Sequence, residues 1–274
     1  MEPILSLVIP CFNHGQYLRE ALDSIPNPND QNLEIIIVND GSTDSFTLKT
    51  LNDLNEEGFT IIHQENQGLG KTRNNGIKLA KGKYILPLDA DNKLLPSIIK
   101  KGIEYLETHP EVAVFYTDLE YFGDRFGLVS VPDFNLQQLI TGNYIDACAI
   151  YRKASWTQVK GYDENMPYMG VEDWEFWLNL SFHGYKFYHF PEAGFYYRVI
   201  NNSMIHKDTA PNFQILRNYI EKKHSYYINY NAPANYFSEK FKASPLVFIF
   251  KLILKSYFPE IYQNWIRQGK IKRF

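Results

Sequence analysis

Two aspartates one residue apart, in the stretch KYILPLDADN, are the first candidates for chemistry in this sequence. The apolar run 84–88 ends directly at Asp89 and Asp91. In an extended segment, residues i and i+2 point to the same side, so the two carboxylates repel each other unless a cation lies beside them. Oxygen ligands suit Mg²⁺ or Mn²⁺, and Mg²⁺ is commonly held by one or two carboxylates together with substrate phosphates. A strand end followed by a turn or a helix cap explains the same spacing, so the residues alone leave both interpretations open.

A second pair of acids, Glu172 and Asp173, stands in the stretch GVEDWEFWLNL. The apolar residues that follow recur at helical spacing, so the acids lie at the start of a predicted helix. Acidic residues are favoured at helix N-termini, which is one explanation for the pair. The other is a general base, which requires a carboxylate near the reacting hydroxyl group.

Two further stretches suggest contacts with a nucleotide. In VNDGSTD, Asp40 either belongs to a turn before a helix or accepts hydrogen bonds from a base or a ribose. The stretch ENQGLGKTRNNG is not a phosphate-binding loop, because Glu65 stands where that motif needs a glycine. It predicts instead a loop that enters a helix, with Arg73 on the first turn facing either a nucleotide or solvent.

The stretch YYRVINNSMIH places Arg198 before a polar loop and His206 after it. Arginine binds diphosphates well, since its guanidinium group donates paired hydrogen bonds. His206 is a weaker candidate for a metal ligand, because a single histidine is more often a surface residue.

These candidates are positioned by an alternating pattern of strands and helices. The alternation predicts an α/β domain with a mostly parallel sheet. Strands are predicted at 4–9, 33–38, 59–63, 84–88 and 112–116, and helices at 17–25, 71–80 and 96–108. Ligands bind outside the carboxyl ends of such strands, so Asp40 and the Asp89–Asp91 pair are expected in the same crevice.

The pattern is less regular after residue 120. We expect a hairpin or a long loop over 121–150, a helix over 172–182 and one or two strands over 185–197. From about residue 211 the chain reads as helical again.

Composition excludes several classes of protein. The net charge of -3 gives no electrostatic reason to expect nucleic-acid binding. The 2 cysteines, Cys11 and Cys148, form no disulfide framework and fit a reducing compartment. The first residues read as a strand rather than a signal peptide, and no stretch reaches the length of about 18 apolar residues expected of a membrane-spanning helix. A cytoplasmic location is therefore expected.

The order of these motifs resembles that of family 2 glycosyltransferases of bacterial type, which have the GT-A fold. The resemblance covers about residues 4–205 and is carried by SLVIPCFNHGQYLREALDSI, EIIIVNDGSTD, QENQGLGKTRNNGIKLAKGKYILPLDADN, GYDENMPYMGVEDWEFWLNL and YYRVINNSM. It implies transfer of a hexosyl or N-acetylhexosaminyl group from a nucleotide sugar, with UDP as the expected nucleotide. The acceptor would be a glycan or a lipid-linked saccharide, as in polysaccharide and cell-envelope biosynthesis.

The resemblance also implies a role for each matching residue. Asp91 would bind Mn²⁺ or Mg²⁺, and Asp89 the metal or the ribose. Asp173 would be the general base, with Glu172 beside it, and Arg198 would neutralise the leaving diphosphate. The implied nucleotide pocket consists of Pro10, Phe12, Asn13, Asp40, Arg73, Asp89 and Ala90. Direct displacement at the anomeric carbon would invert its configuration.

The predicted domain organisation is a GT-A domain over residues 1–210 and a helical, basic extension over 211–274. Within the domain, a nucleotide-sugar half covers about 1–118 and an acceptor half about 119–210. The segment 244–274 combines apolar residues with lysines and arginines, which is typical of a helix lying on an anionic membrane surface. The alternative is a helix that packs on the catalytic domain. Peripheral association with the inner face of the cytoplasmic membrane would suit a lipid-linked acceptor.

Two other functions remain as alternatives. One is a catalytically silent protein that binds sugar nucleotides, against which the set of Asp89, Asp91 and Asp173 argues, since a binder needs no base. The other is a nucleotidyltransferase on a related fold. It would need a basic, glycine-rich loop after the first strand, whereas PCFNHGQY has one glycine and no lysine.

Overall fold

The structure is a computed structural model. It describes residues 2–28, 30–200, 204–225, 227–228, 241–268 and 270, without the side chains at 206, 259, 260, 263 and 267.

The first part of the chain builds the parallel half of one sheet, with neighbouring strands in the order β3-β2-β1-β4. Its elements are β1 (Leu5–Cys11), α1 (Gly15–Asp23), β2 (Leu33–Asp40), α2 (Ser45–Glu56), β3 (Thr60–Gln64), α3 (Leu69–Leu79) and β4 (Tyr84–Pro87). Every residue of β1 and β4 is buried, which agrees with their continuous apolar sequences. The predicted strand and helix alternation is confirmed for this part.

The second part extends the same sheet with strands of mixed direction. It contains β5 (Lys93–Leu94), α4 (Ser97–Thr108), β6 (Val112–Gly123), β7 (Gly127–Val129), α5 (Leu136–Thr141), β8 (Ile150–Arg152), α6 (Lys153–Gln158), α7 (Glu172–Phe182) and β9 (Lys186–Val199). Strand β8 lies antiparallel between β4 and β6, and β6 pairs in parallel with β9. The hairpin predicted after residue 120 is formed by β6 and β7, whereas α5 and β8 were not predicted.

Helix α3 lies very close to the central strands, because glycine faces the sheet at one position. A Cβ atom on Gly76 would be 2.5 Å from Cγ1 of Val8 and 3.0 Å from Cγ2 of Val38. A larger side chain would push the helix away from β1 and β2. The close packing fixes the position of α3, and therefore of Arg73 on it, relative to the ends of the strands.

The chain divides into two compact units, residues 1–224 and 225–274. The first unit ends with a π-helical turn (Ile205–Thr209) and helix α8 (Ala210–Lys223). The second contains α9 (Pro245–Tyr257) and α10 (Pro259–Arg267). The helical character expected after residue 211 is found in these elements, while 229–240 and 271–274 lie outside the described residues. The division at residue 210 stays a prediction.

None of the helices in the described residues is long and apolar enough to span a bilayer.

Candidate active site

The loops that follow β1 and β2 are joined at the carboxyl edge of the sheet by one asparagine. The backbone of Asn13 is left-handed (φ 54°), and its N–H donates to Oγ of Ser42 over 3.0 Å. Its side-chain Oδ1 accepts hydrogen bonds from the N–H groups of Thr43 (2.8 Å) and Asp44 (3.1 Å). Asn13 therefore shapes this edge of the crevice through contacts within the protein.

The other residues expected around the nucleotide from β1 and β4 differ in exposure. Pro10 and Ala90 are buried. The ring of Phe12 is 45% exposed, so it presents a flat apolar surface at the carboxyl edge. Bases stack well on such surfaces, whereas Pro10 and Ala90 shape the crevice through the backbone.

Asp40, at the end of β2, holds the loop that leads into α3. One oxygen of its carboxylate accepts hydrogen bonds from Nε2 of Gln64 and from the N–H of Gln67, both at 2.8 Å. The other oxygen accepts from the N–H of Gly68 at 3.0 Å. Asp40, the carboxylate expected to bind the base, is only 5% exposed, and both of its oxygens already accept hydrogen bonds from this chain.

Arg73 is a buried cation beneath the acidic residues. Its guanidinium group donates from Nη2 to Oδ1 of Asp89 over 2.7 Å and lies 5.6 Å from the ring centre of Tyr162. Its buried Nε has no hydrogen-bond partner among the described residues. Burial alone lowers the pKa of Arg73, but Asp89 and the neighbouring acids outweigh it and raise that pKa. The residue predicted to face a nucleotide or solvent instead pairs with Asp89.

Asp89 and Asp91 crowd negative charge at the end of β4, as their spacing predicted. Burial, and after it the charge of Asp89, raises the pKa of Asp91. Oδ2 of Asp91 lies 3.9 Å from Nδ1 of His14.

Arg198, from the end of β9, lies beside the backbone of Asp91 and donates from Nε to its carbonyl oxygen over 2.9 Å. Its Nη2 donates to Glu20, and its guanidinium group lies 4.3 Å from the ring centres of Tyr17 and Phe122. The structure therefore brings Arg198 to the acidic pair, as predicted, and holds it between a carboxylate and two rings.

Asp173 lies on the first turn of α7 and is only partly buried. Its Oδ1 accepts from the N–H of Trp174 (2.7 Å), and its Oδ2 accepts from Nδ2 of Asn143 (2.9 Å). Burial and the charge of Asp146 raise the pKa of Asp173 to about 7, against the opposing effect of Arg73. A carboxylate with a pKa near neutrality is well suited to accept a proton at physiological pH.

Glu172 has a different environment from that of its neighbour. It is 3% exposed, and its carboxylate accepts from the N–H of Gly170 at 2.9 Å and 3.0 Å. Burial raises the pKa of Glu172, whereas Arg73 lowers it. Glu172 therefore stabilises the turn before α7, and Asp173 is the more accessible of the two acids.

Asp146 is an acidic residue of the site that sequence reasoning missed. It precedes β8, and its Oδ1 accepts from the N–H of Cys148 over 2.8 Å. Burial and the charge of Asp89 raise the pKa of Asp146 to about 7. The sequence does contain a signal, because Asp146 interrupts the apolar stretch YIDACAIY. Burying a carboxylate is costly, so an acid in such a stretch indicates a functional site.

The donors at the carboxyl edge fit a hard divalent cation. Two carboxylates and a raised pKa at Asp91 mark a place where a cation would relieve repulsion, and all of the donors are oxygen atoms. The described residues contain no preformed group of three His, Cys, Asp or Glu side chains arranged to hold a metal. The side chain of His206 lies outside the described part of the structure.

Comparison with known proteins identifies relatives of this fold and site. A family model described as "Glycosyl transferase family 2" matches residues 6–157. The chain is 26% identical over 239 residues to a chondroitin synthase of Pasteurella multocida (strain Pm70), covering 85% of this chain. It is 28% identical over 232 residues to a hyaluronan synthase of Pasteurella multocida, covering 82% of this chain. The chain spans only 23% and 22% of the length of these two curated relatives.

A solved structure shares the fold. The structure of S. aureus TarS residues 1-349 in complex with UDP-GlcNAc superposes with a TM-score of 0.61 at 21% sequence identity. The match covers 75% of this chain and 61% of that one. The predicted GT-A fold is thereby confirmed.

Proposed function

We propose that this chain, which belongs to glycosyl transferase family 2, transfers a sugar from a UDP-sugar to a hydroxyl group of a saccharide acceptor. One observation carries the proposal. Asp89 of the acidic pair and the base-like carboxylate of Asp173 act on the same buried cation: Arg73 donates to Asp89 over 2.7 Å, and the charges of both acids raise the pKa of Arg73. A donor held at the acidic pair would present its anomeric carbon near a group able to take a proton.

UDP is the proposed nucleotide because the TarS structure that shares the fold is a complex with UDP-GlcNAc. Phe12 offers a stacking surface for the base, and Asp40 fixes the loop beside it. Asn13 fixes the loops on either side of the base. The transferred group is then a hexosyl or N-acetylhexosaminyl group.

Asp91 and Asp89 are the residues that would hold Mn²⁺ or Mg²⁺. When bound, the ion supplies positive charge that stabilises the departing diphosphate. Arg73 orients Asp89, because its guanidinium group donates to one carboxylate oxygen over 2.7 Å. Arg198 adds a second cation beside Asp91, where the diphosphate would lie.

The proposed reaction is a direct displacement. The acceptor hydroxyl oxygen attacks the anomeric carbon as the bond from that carbon to the diphosphate oxygen breaks. Asp173 receives the hydroxyl proton, and the bonding electrons leave with UDP. Attack opposite to the leaving group inverts the configuration at the anomeric carbon.

A groove beside Glu172 is the proposed position of the acceptor. It lies between the start of α3 and the loop that precedes α7, and it is open to solvent. Its lining includes Gly68, Lys71, Tyr168 and Met169. Aromatic rings stack on the apolar faces of sugars and charged groups bind sugar hydroxyls, so the groove suits a glycan or a lipid-linked saccharide.

The second unit is proposed to bind an anionic membrane surface from the cytoplasmic side. Residues 241–274 carry seven lysines and arginines against one acid, whereas the first 240 residues carry a net charge of -9. Several of the larger apolar side chains of α9 are also exposed, including Leu246 (83%), Val247 (51%) and Phe250 (45%), whereas Leu254 is buried. Apolar exposure beside positive charge favours an interface with anionic lipid.

Calorimetric titration with UDP, with and without Mn²⁺, tests the donor site. We expect binding that depends on Mn²⁺ and is lost in Asp91→Ala. Asp173→Asn should bind UDP like the wild type but transfer no sugar from UDP-sugars. UDP affinity that is the same with and without Mn²⁺ and in Asp91→Ala would refute the proposed donor site. Unchanged sugar transfer by Asp173→Asn would refute the assignment of Asp173 as the base.

Co-sedimentation with vesicles tests the membrane proposal. We expect binding to vesicles that contain phosphatidylglycerol, little binding to pure phosphatidylcholine, and a decrease in binding as salt is raised. Replacing Lys251 and Lys255 with Glu should abolish binding. The same change of charge at Lys81 and Lys100, in the first unit, is the control. Equal loss in both double variants, or equal binding to both kinds of vesicle, would contradict the proposal.

A further inference from the structure

The segment 139–145 is fastened to the helix that carries Asp173 by two tryptophans of that helix. Nε1 of Trp174 donates to the carbonyl oxygen of Leu139 over 2.6 Å, and Nε1 of Trp177 donates to that of Ile145 over 3.0 Å. Both indole rings are buried, at 1% and 0% exposure. Buried hydrogen bonds of this kind are costly to break, so the segment is fixed relative to α7 at both ends.

Asn143 lies between these two anchor points and contacts the proposed base directly. Its Nδ2 donates to Oδ2 of Asp173 over 2.9 Å, while its Oδ1 accepts from the N–H of Ile145 over 3.2 Å. The second bond fixes which side of the amide faces Asp173, because a flipped amide would lose both bonds.

The carboxylate of Asp173 is therefore held at both oxygens. Oδ1 accepts from the N–H of Trp174 and Oδ2 from Asn143, so the plane of the carboxylate is fixed. A carboxylate oxygen has two lone pairs, and each oxygen keeps one for another donor. An acceptor hydroxyl can take that place without displacing either bond.

We propose that Asn143 is a positioning residue for the sugar transfer, which orients the carboxylate of Asp173 toward the acceptor hydroxyl. The inference rests on the proposed function, because it assigns Asn143 to the base of that reaction. Proton transfer requires heavy-atom distances of about 2.6–3.2 Å, so a carboxylate free to rotate would spend much of its time misaligned. A misplacement of about 1 Å can cost on the order of 100-fold in rate.

A purely structural role for Asn143 predicts a different result from the same variants. Asn143→Asp keeps an oxygen for the N–H of Ile145, removes the donor to Asp173 and adds a negative charge beside it. Asn143→Ala removes both bonds. If Asn143 serves only the turn, the Asp variant should keep the Tm of the wild type and its kcat at a pH where Asp173 is fully ionised, whereas the Ala variant should lose Tm.

The matched control is Asn135→Asp, eight residues before Asn143 and directly before α5. Asn135 caps α5, with Oδ1 accepting from the N–H of Gln138 over 2.9 Å. Asp is as good a cap as Asn, so this variant adds the same charge without changing the fold. The charged groups around Asp173, namely Arg73, Asp146 and Glu172, remain in all variants.

The experiment measures kcat and KM for UDP-sugar transfer, UDP affinity and Tm. We expect Asn143→Asp to move the acid limb of the pH profile upward because of its charge, and to lower kcat at least about tenfold on the plateau above that limb, with UDP affinity and Tm unchanged. Asn135→Asp should match the wild type. A plateau kcat like that of the wild type in Asn143→Asp would overturn the inference.

If the wild-type protein transfers no sugar, the proposed function is refuted. The contact between Asn143 and Asp173 can then still be tested by a measurement that does not depend on activity. Titration of the Asp173 carboxyl carbon by NMR reports its bond to Asn143. We expect Asn143→Ala to raise the pKa of Asp173, since a hydrogen bond to the ionised form is lost. An unchanged pKa in a folded Asn143→Ala protein would overturn the inference.

Discussion

Lowering the pH from about 8 to about 6 should reduce kcat/KM for sugar transfer by about tenfold. The reason is that Asp173 must be ionised to accept a proton, and its pKa is raised to about 7 by burial and by Asp146. At one pH unit above this value about 90% of the base is ionised, and at one unit below about 10%. A carboxylate with an ordinary pKa would be ionised throughout this range and would give a flat profile.

The assay is the rate of UDP release at low acceptor concentration, measured across this range at fixed donor and Mn²⁺. UDP affinity at each pH is measured by calorimetry, so that weaker donor binding is not mistaken for loss of the base. Histidine side chains also titrate in this range, and His14 lies near Asp91, so His14→Gln is the control. We expect this variant to retain the acid limb. Asp146→Asn should move the limb to lower pH, because it removes a negative neighbour of Asp173.

Two results would refute this reasoning. A kcat/KM that stays constant from about pH 6 to about pH 8 would mean that Asp173 is not the titrating base. An acid limb that disappears in His14→Gln and is unmoved in Asp146→Asn would assign the titration to the histidine.

Three further changes have expected outcomes for stability. Burial and the charge of Asp89 raise the pKa of Asp146 in the folded protein. The stability that Asp146 contributes is therefore present below its unfolded pKa and is lost as the pH rises toward 7. Asp146→Asn should raise Tm at about pH 8 and not at about pH 4. Gly76→Ala should lower the free energy of unfolding by about 1–3 kcal/mol in urea titration, because the new Cβ lies 2.5 Å from Val8. Arg73→Met should lower it by about 3 kcal/mol or more, because Asp89 loses its buried partner. An unchanged Tm of Asp146→Asn at about pH 8, or an unchanged urea midpoint of Gly76→Ala or Arg73→Met, would contradict the charge or packing described for that residue.

The sequence predicted the first half of the fold well. Apolar runs at β1, β2 and β4 separated by amphipathic helices are a local pattern, and local patterns can be read along the chain. The placement of Asp40, Asp89 and Asp91 at one edge followed from the rule that parallel strands end on the same side. The later part was less predictable, because α5 and β8 are short and their pairing depends on strands distant in sequence.

The fate of individual side chains was harder to predict. Arg73 was expected to face a nucleotide or solvent, and it is buried against Asp89 because the close contact at Gly76 draws α3 onto the sheet. Asp146 was missed although it interrupts an apolar stretch, because the acids that it meets, Asp89 and Asp173, lie far from it along the chain. Asn143 was missed because its partner, Asp173, lies 30 residues away along the chain.

The amino-acid sequence by itself determined which residue types were available, the alternation that builds the parallel half of the sheet, and the acids at strand and helix ends. These follow from spacing and side-chain chemistry, which act over a few residues. Only the tertiary structure decided which acids share one environment and which of them is accessible. The fold brings the charge of Asp146 close enough to Asp173 to help raise the pKa of Asp173 to about 7. It also buries Glu172, whose carboxylate accepts a hydrogen bond from the N–H of Gly170. Burial and charge act through space, so a pKa depends on groups that the chain brings together only when it folds.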